Sequence, residues 1–448
     1  MSLRRLLIAA IVLAVLAGGV YWSNREKSAQ AAKPSTGESP KIVAIPEDQI
    51  KQIEIEKKGA PPTILDRTGS AKWKITAPQP LPVDNDAVSS LTSTISSISA
   101  DRVIEDKAPA DLSPYGLNAP SLTVTITKKD NKKTELLLGD DTPAGGDVYA
   151  RLENDPRIFT VASFVKSGLD KTSKDLRDKR LLTVDSDKIS RVELTAKNQT
   201  LEFGRVSQNE WQILKPKPLR ADGYQVEELV RKLTGAKMDT SVSDEEAKKA
   251  AATFASATPV ATAKLTDASG TQTIEIRRDK DKNYWAKSSV VEGVHKVSTE
   301  LGDGVDKGLD DFRNKKLFDF GFSEPTKLEI KDGTKVASYQ KSGEKWMSGS
   351  KQMDSTSVNA FIDKARDLSA TKFVDTGFTT PEIEITVTSN NGKRVEKVLI
   401  SKNGNNYFAK RENEPSIYQL DPKTVEDLRK AATDIKESTP TKAAAKKK

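Results

Sequence analysis

Short runs in which apolar and polar residues alternate recur along most of this chain. Between them lie a few segments whose apolar residues fall three and four apart. Ile53-Glu54-Ile55-Glu56 alternates, Thr63 to Asp66 can extend, and Lys72-Trp73-Lys74-Ile75 alternates again; a period of two predicts half-buried strands. Pro78 to Pro82 halts this sheet, and Asp84 opens a segment with Val88, Leu91, Ile95 and Ile98 at helical spacing, with Asp84 itself placed as an N-cap. Alternation resumes at Leu122 to Thr127, Thr134 to Leu138, Val148 to Leu152 and Ile158 to Val161, with Asp130-Asn131 and Gly145-Gly146 among the connections. That is the pattern of an antiparallel meander. A closing helix is expected from about Ser163, ending in Asp175-Leu176-Arg177-Asp178-Lys179-Arg180.

The whole pattern then returns. Trp73, Trp211 and Trp346 each precede an aspartate, Asp84, Asp222 and Asp354, which makes an internal repeat of roughly 135 residues. In the second copy Val226, Leu229, Val230 and Leu233 mark the helix, Trp285-Ala286-Lys287 stands for Tyr149-Ala150-Arg151, and Asp311-Phe312-Arg313 closes. The third, more compressed, has a helix from about Ser355 to Leu368, then Phe408-Ala409-Lys410 and Asp427-Leu428-Arg429. Gly116-Leu117-x-x-Pro120 recurs as Gly321-Phe322-x-x-Pro325 and Gly377-Phe378-x-x-Pro381, and reads as a structural turn in which glycine takes positive φ. The expected fold is α+β: three tandem modules of antiparallel β-sheet with helices packed on one face, over residues 45–182, 183–320 and 321–437.

Leu6 to Trp22 carries no charge and follows Arg4 and Arg5. As a helix it would reach about 25 Å, near the short end of a membrane span. A cleaved signal peptide would want its small-x-small site close behind, but Ala29-Gln30-Ala31 lies beyond Arg25, Glu26 and Lys27. The anchor is therefore the preferred reading, over residues 1–24, with Tyr21-Trp22 at the interface and the N-terminus cytoplasmic. Residues 25–44 then form a flexible tether, 438–448 a disordered Lys-rich tail, and the body faces the periplasm of a bacterial inner membrane.

The net charge of +8 suggests a nucleic-acid partner only until it is placed. Residues 1–40 hold +3 and the last eleven +4, which leaves +1 for the body. Lys there alternates with Asp and Glu rather than forming a basic stripe, so no nucleic acid is expected. Cysteine is absent and histidine occurs once, as His295, which removes disulfides, thiol nucleophiles and cysteine-ligated zinc.

The recurring aspartates could be general bases or cation ligands, but capping explains their position without a partner; Asp222 has Gln225 three residues on, in the manner of a capping box. Trp73, Trp211 and Trp346 could form an aromatic platform, yet each lies where it would pack beneath the following helix. His295 aligns with Phe159 and Tyr418, an aromatic slot. Asp279-Lys280-Asp281-Lys282-Asn283 opens like a calcium loop but has Tyr284 where glycine and Val291 where glutamate are needed. Gly302-Asp303-Gly304 lacks the rest of a nucleotide-binding pattern. Arg177, Arg313 and Arg429 each read as ending a closing helix, where a cation is favourable, and as a row they could dock a partner. No catalytic residue, cofactor or metal site is predicted.

These residues together resemble the bacterial domain of unknown function 4340 family: an N-terminal anchor, Trp-x-Ile, a proline-rich stretch, a helix-opening aspartate, Tyr-Gly-Leu-x-x-Pro, Val-Tyr-Ala-Arg and Asp-Leu-Arg-Asp-Lys-Arg. The likeness covers most of residues 45–320 well and the remainder loosely. It implies a single-span envelope protein of the kind often associated with gliding-type ABC transport systems. The resulting expectation is a non-enzymatic, membrane-anchored accessory or scaffold protein working beside ABC permease and ATPase subunits. The alternative is a periplasmic binding module for a polysaccharide, peptide or lipid.

Overall fold

The computed structural model describes residues 40–69, 72–207 and 210–439. The expected anchor, most of the tether and nearly all of the tail lie outside the described residues, among which no helix is long and apolar enough to cross a membrane. The chain divides into two compact units, one ending at Lys179 and the other beginning at Arg180. The architecture is α+β, with four antiparallel sheets among the described residues.

In the first unit a nine-stranded sheet runs, edge to edge, through Leu81–Pro82, Trp73–Ala77, Thr63–Arg67, Ile50–Lys57, Leu122–Lys128, Lys133–Asp141, Asp147–Leu152, Ile158–Ala162 and Arg102–Glu105. Two meanders thus spread in opposite directions from a central antiparallel pair, in which Ile53 faces Ile126. The helix Asn85–Ser96 connects them and buries Val88, Leu91, Thr92 and Ile95 against the sheet's apolar face. A small ribbon of Lys41–Ala44 with Ser97–Ser99 completes the unit.

The second unit holds two further large sheets. One has eight strands in the order Leu219–Arg220, Glu210–Lys215, Gln199–Ser207, Arg191–Ala196, Thr258–Asp267, Gly270–Arg278, Tyr284–Ser288 and Val294–Val297. The other has nine: Lys351–Gln352, Lys345–Ser348, Lys335–Ser342, Lys327–Asp332, Ile383–Ser389, Arg394–Asn403, Asn406–Arg411, Ile417–Leu420 and Lys372–Val374. Alternation governs both, as in Ile383–Ser389, where every second side chain is buried. The helices Gly223–Thr234 and Ser355–Asp367 cover the apolar faces.

The residues just before the expected boundaries at 182/183 and 320/321 pack with the sheet that follows them. Leu181 and Leu182 belong to the core of the eight-stranded sheet, and Leu317, Phe318 and Phe320 to that of the last sheet. The reason is that the chain pairs before its first long strand: the Leu181 N–H donates to the Ala236 carbonyl and the Leu317 N–H to the Leu368 carbonyl, both at 2.9 Å. The closing helix is likewise two pieces in the first unit, Ser163–Leu169 and Ser173–Leu176. An element absent from the expectations is the helix Asp244–Ser256, which packs against Val294–Val297 on the side where the other two large sheets carry an extra edge strand.

Gly116 and Gly377 take positive φ before the corresponding strands Leu122–Lys128 and Ile383–Ser389, whereas Gly321 does so before Lys327–Asp332, a different place in its sheet. Among the described residues the glycine under tightest constraint is Gly139, where a Cβ would lie 2.0 Å from the Tyr115 carbonyl oxygen.

Candidate functional site

The three aspartates each open a helix. Asp84 Oδ1 accepts from the N–H groups of Asp86 and Ala87 at 3.0 and 3.2 Å, Asp222 Oδ1 from Gln225 at 3.2 Å, and Asp354 Oδ2 from Ser357 at 3.0 Å. The Gln225 side chain does not reach back to complete a box; it accepts from Lys307 Nζ at 3.0 Å. Each aspartate also donates its own N–H to a closing segment, at Leu176, Phe312 and Lys436 respectively. These positions tie the start of a helix to a later stretch of chain at Leu176, Phe312 and Lys436.

Trp211 and Trp346 are each 3 % exposed, so neither ring has a free face for a ligand. Trp73 is half-buried beneath the guanidinium of Arg67, 4.5 Å from the ring centroid. Arg205 lies over Trp211 in the same way at 4.7 Å, and the Trp211 indole N–H donates to Glu227 at 2.6 Å. Cation and ring thus brace the strand before the helix in both sheets.

The arginines are not one row. Arg177 and Arg313 directly follow the short helices Ser173–Leu176 and Leu309–Phe312 and pair with Val83 and Ala221. Arg429 instead lies within the helix Pro422–Thr433, and the residue that pairs at the corresponding place, with Met353, is Glu437. The sequence match of Asp427-Leu428-Arg429 was therefore a likeness of letters, not of place. Arg429 binds Glu382 at 2.9 Å and Asp332 at 3.1 Å. Burial pulls the Arg177 guanidinium down, with Asp178 acting against it.

Within the second unit, Arg313 and Arg220 join the two large sheets. Arg313 lies 3.4 Å from the centroid of Phe373 and donates to Ser416 Oγ at 2.9 Å. Arg220 binds Asp319 at 2.6 Å and Glu414 at 3.1 Å and donates to the Tyr418 hydroxyl at 3.2 Å. Arg411 binds the same two acids, at 3.2 and 2.8 Å, and Glu396 at 3.2 Å. The Asp319 N–H donates to Glu396 Oε1 at 2.7 Å, the same oxygen that Arg411 binds, while the other oxygen of this buried acid, Oε2, has no hydrogen-bond partner. Burial works against the charge of Arg220, but Asp319, Tyr418 and Glu414 outweigh it and raise its affinity for the proton. Tyr418 is pushed up by burial, with Arg220 opposing. A sequence signal for this joint existed in Glu396, which shares the inward parity of Val398 and Ile400: an acid on an apolar face needs a partner.

The second unit also has a cleft of about 560 Å³ between the helix Asp244–Ser256 and the hairpin at 279–283, lined by Glu246, Lys249, Thr253, Asp279, Asn283 and Trp285 among others. Asp279 organises the hairpin: it accepts from the Asp281 and Asn283 N–H groups, both at 2.9 Å, and from the Trp285 indole at 2.8 Å. Burial pushes its carboxyl up, but the indole and the Asn283 N–H outweigh this and hold it below the usual carboxylate range. Glu246 faces Lys296 at 3.1 Å, and Phe254 packs with Ala250 and Trp285 beneath Arg277. His295 pairs with Ala286, as Phe159 does with Ala150 and Tyr418 with Ala409. Among the described residues no group of His, Cys, Asp and Glu is arranged to hold a metal ion.

The sequence profile of a family described as a domain of unknown function (DUF4340) matches residues 73–218 and again 211–382, more than half of the chain. Both matches begin at a tryptophan, Trp73 and Trp211. Comparison with curated proteins gives no match.

Proposed function

The chain belongs to the DUF4340 family, and from that premise we propose that it is a non-enzymatic scaffold of three tandem modules, held outside a bacterial inner membrane by residues 6–22. It works there as an accessory to the permease and ATPase subunits of an ABC transporter. The observation that carries the reading is the use made of the recurring residues. Asp84, Asp222 and Asp354 cap helices and bind closing segments, and Trp211 and Trp346 fill cores. The repetition thus serves architecture, as a spacer or platform requires. The double family match, starting at successive tryptophans, supports the tandem reading. The uncharged run behind Arg4 and Arg5 supports the anchor.

The test is a mild-detergent pull-down of the full-length chain from its native membrane, beside a bait lacking residues 1–24, with mass spectrometry of what is retained. Permease and ATPase subunits held by the full-length bait are the expected result; a preparation free of both would end the accessory reading. The cleft at Asp244–Ser256 favours a second reading, a binding module, since its volume lies in the range of small-molecule sites. Saturable binding of a glycan, peptide or lipid that is lost in Thr253→Trp would favour it.

A further inference from the structure

We infer that the edge of the first unit's sheet receives the closing face of a second copy of this chain, through Arg157 on one copy and Glu437 on the other. The inference rests on the tandem reading above, because its template is the joint inside the second unit. There Arg313, opposite Ala221, reaches the edge strand Lys372–Val374, where Phe373 faces Tyr418 and Glu414-Pro415-Ser416 precedes the strand Ile417–Leu420. The first unit has the same receiving parts: Val103 faces Phe159 on the edge strand Arg102–Glu105, and Asp155-Pro156-Arg157 precedes Ile158–Ala162. Arg157 therefore stands where Ser416 does, and Asp155 where Glu414 does.

The closing side corresponds as closely. The Asn314 N–H donates to the Arg220 carbonyl beside Arg313, and the Ser438 N–H donates to the Gln352 carbonyl beside Glu437. The chemistry is exchanged across the pair: an arginine closes on a serine inside the unit, whereas here an acid would close on an arginine. Gln352, in the place of Arg220, would offer its amide N–H to Asp155. Both faces are accessible, with the Arg157 side chain 44 % and the Glu437 side chain 56 % exposed. Val103 and Ile104 leave an apolar edge at 39 and 38 %, the kind of strand that pairs unless covered. Arg157 gives Nε and Nη2 to Asp155, and its fork has a further nitrogen, Nη1, to give. The present partner of Glu437 is the exposed Lys351, a screened pair that exchanges at little cost. Such a contact joins unlike faces, and so builds a row or a ring rather than a two-fold dimer.

The chain has no cysteine, so introduced thiols report the contact directly. Full-length Arg157→Cys and Glu437→Cys are treated in mild detergent with a short bis-maleimide, which spans the length of the side chains removed where a direct disulfide could not, separately and mixed, beside an internal control carrying Arg313→Cys and Ser416→Cys in one chain. Expected are a cross-linked species from the mixture alone and an intramolecular bridge in the control. A closed control with no cross-link in the mixture, or cross-links of equal yield in each variant alone, overturns the inference. A control that stays open overturns the joint it was built on. Sedimentation gives the second reading: Arg157→Glu is expected to weaken association about tenfold, and Glu437→Arg on the other copy to restore it.

Discussion

Asp222 shows how much a single position can carry in this chain, because its carboxylate starts a helix while its N–H holds the carbonyl of Phe312, at the end of the short helix Leu309–Phe312. Replacing it with alanine removes only the cap, so Asp222→Ala is expected to lose about 1 kcal/mol in urea unfolding. Gly139→Ala should cost more, about 3 kcal/mol, because the new methyl group meets a backbone carbonyl that has no rotamer to escape into; the same measurement decides it. Glu202 gives the pH dependence. Nearly covered, it is bound by Lys215 at 2.8 Å and by Arg191, and the Lys215 contact first, with Arg191 added, holds its carboxyl below the usual range. A depressed carboxylate stabilises the fold above its unfolded pKa, near 4.3, and loses that contribution as pH falls through the lower folded value. Stability should hold from neutrality to about pH 5 and decline below about 4, and Glu202→Gln should be less stable at pH 7 with a flatter acid limb. At this scale the helix-opening aspartates and the core tryptophans were legible, since each has a local pattern around it. The cation over Trp73 and Trp211 was not, because Arg67 and Arg205 reach their rings from neighbouring strands.

Among the elements, the long helices and strands declared themselves by period. The strands Arg102–Glu105 and Lys372–Val374 did not, being too short to show alternation and fixed by the neighbour they pair with. The helix Asp244–Ser256 was missed for another reason: its apolar contribution is slight, and its buried contacts are Ala250 and Phe254 against Trp285. So small a satellite core predicts independent opening. In hydrogen exchange the amides of Ala247 to Ser256 should lose protection well before those of Thr258–Asp267, which is paired on both sides. Equal protection would mean that the helix is held by more than the cluster of Ala250, Phe254 and Trp285.

At the scale of the molecule, the second unit is two sheets bound by one charge network, and its cooperativity should depend on that network. Arg220→Ala leaves Asp319 and Glu414 short of a counter-charge and is expected to cost about 3 kcal/mol. The unchanged unit is expected to unfold in one calorimetric transition that broadens or splits in Arg220→Ala, whereas Arg231→Ala, which removes an exposed pair with Glu228, should leave it intact. The alternation behind each large sheet could be read from the letters, but the residue that closes on Met353 could not. Arg429 matched by sequence, and only the backbone pairing of Met353 with Glu437 reveals the true counterpart. The central seam of each large sheet has a consequence in time. Hairpins on either side can form as soon as their own residues are made, but Ile53 waits for Ile126, Val192 for Leu265 and Leu328 for Val387. Loop closure across an intervening helix is the slow step of such a topology. During synthesis each sheet therefore exists for a while as half a sheet, its inner strand bare until the far meander leaves the ribosome.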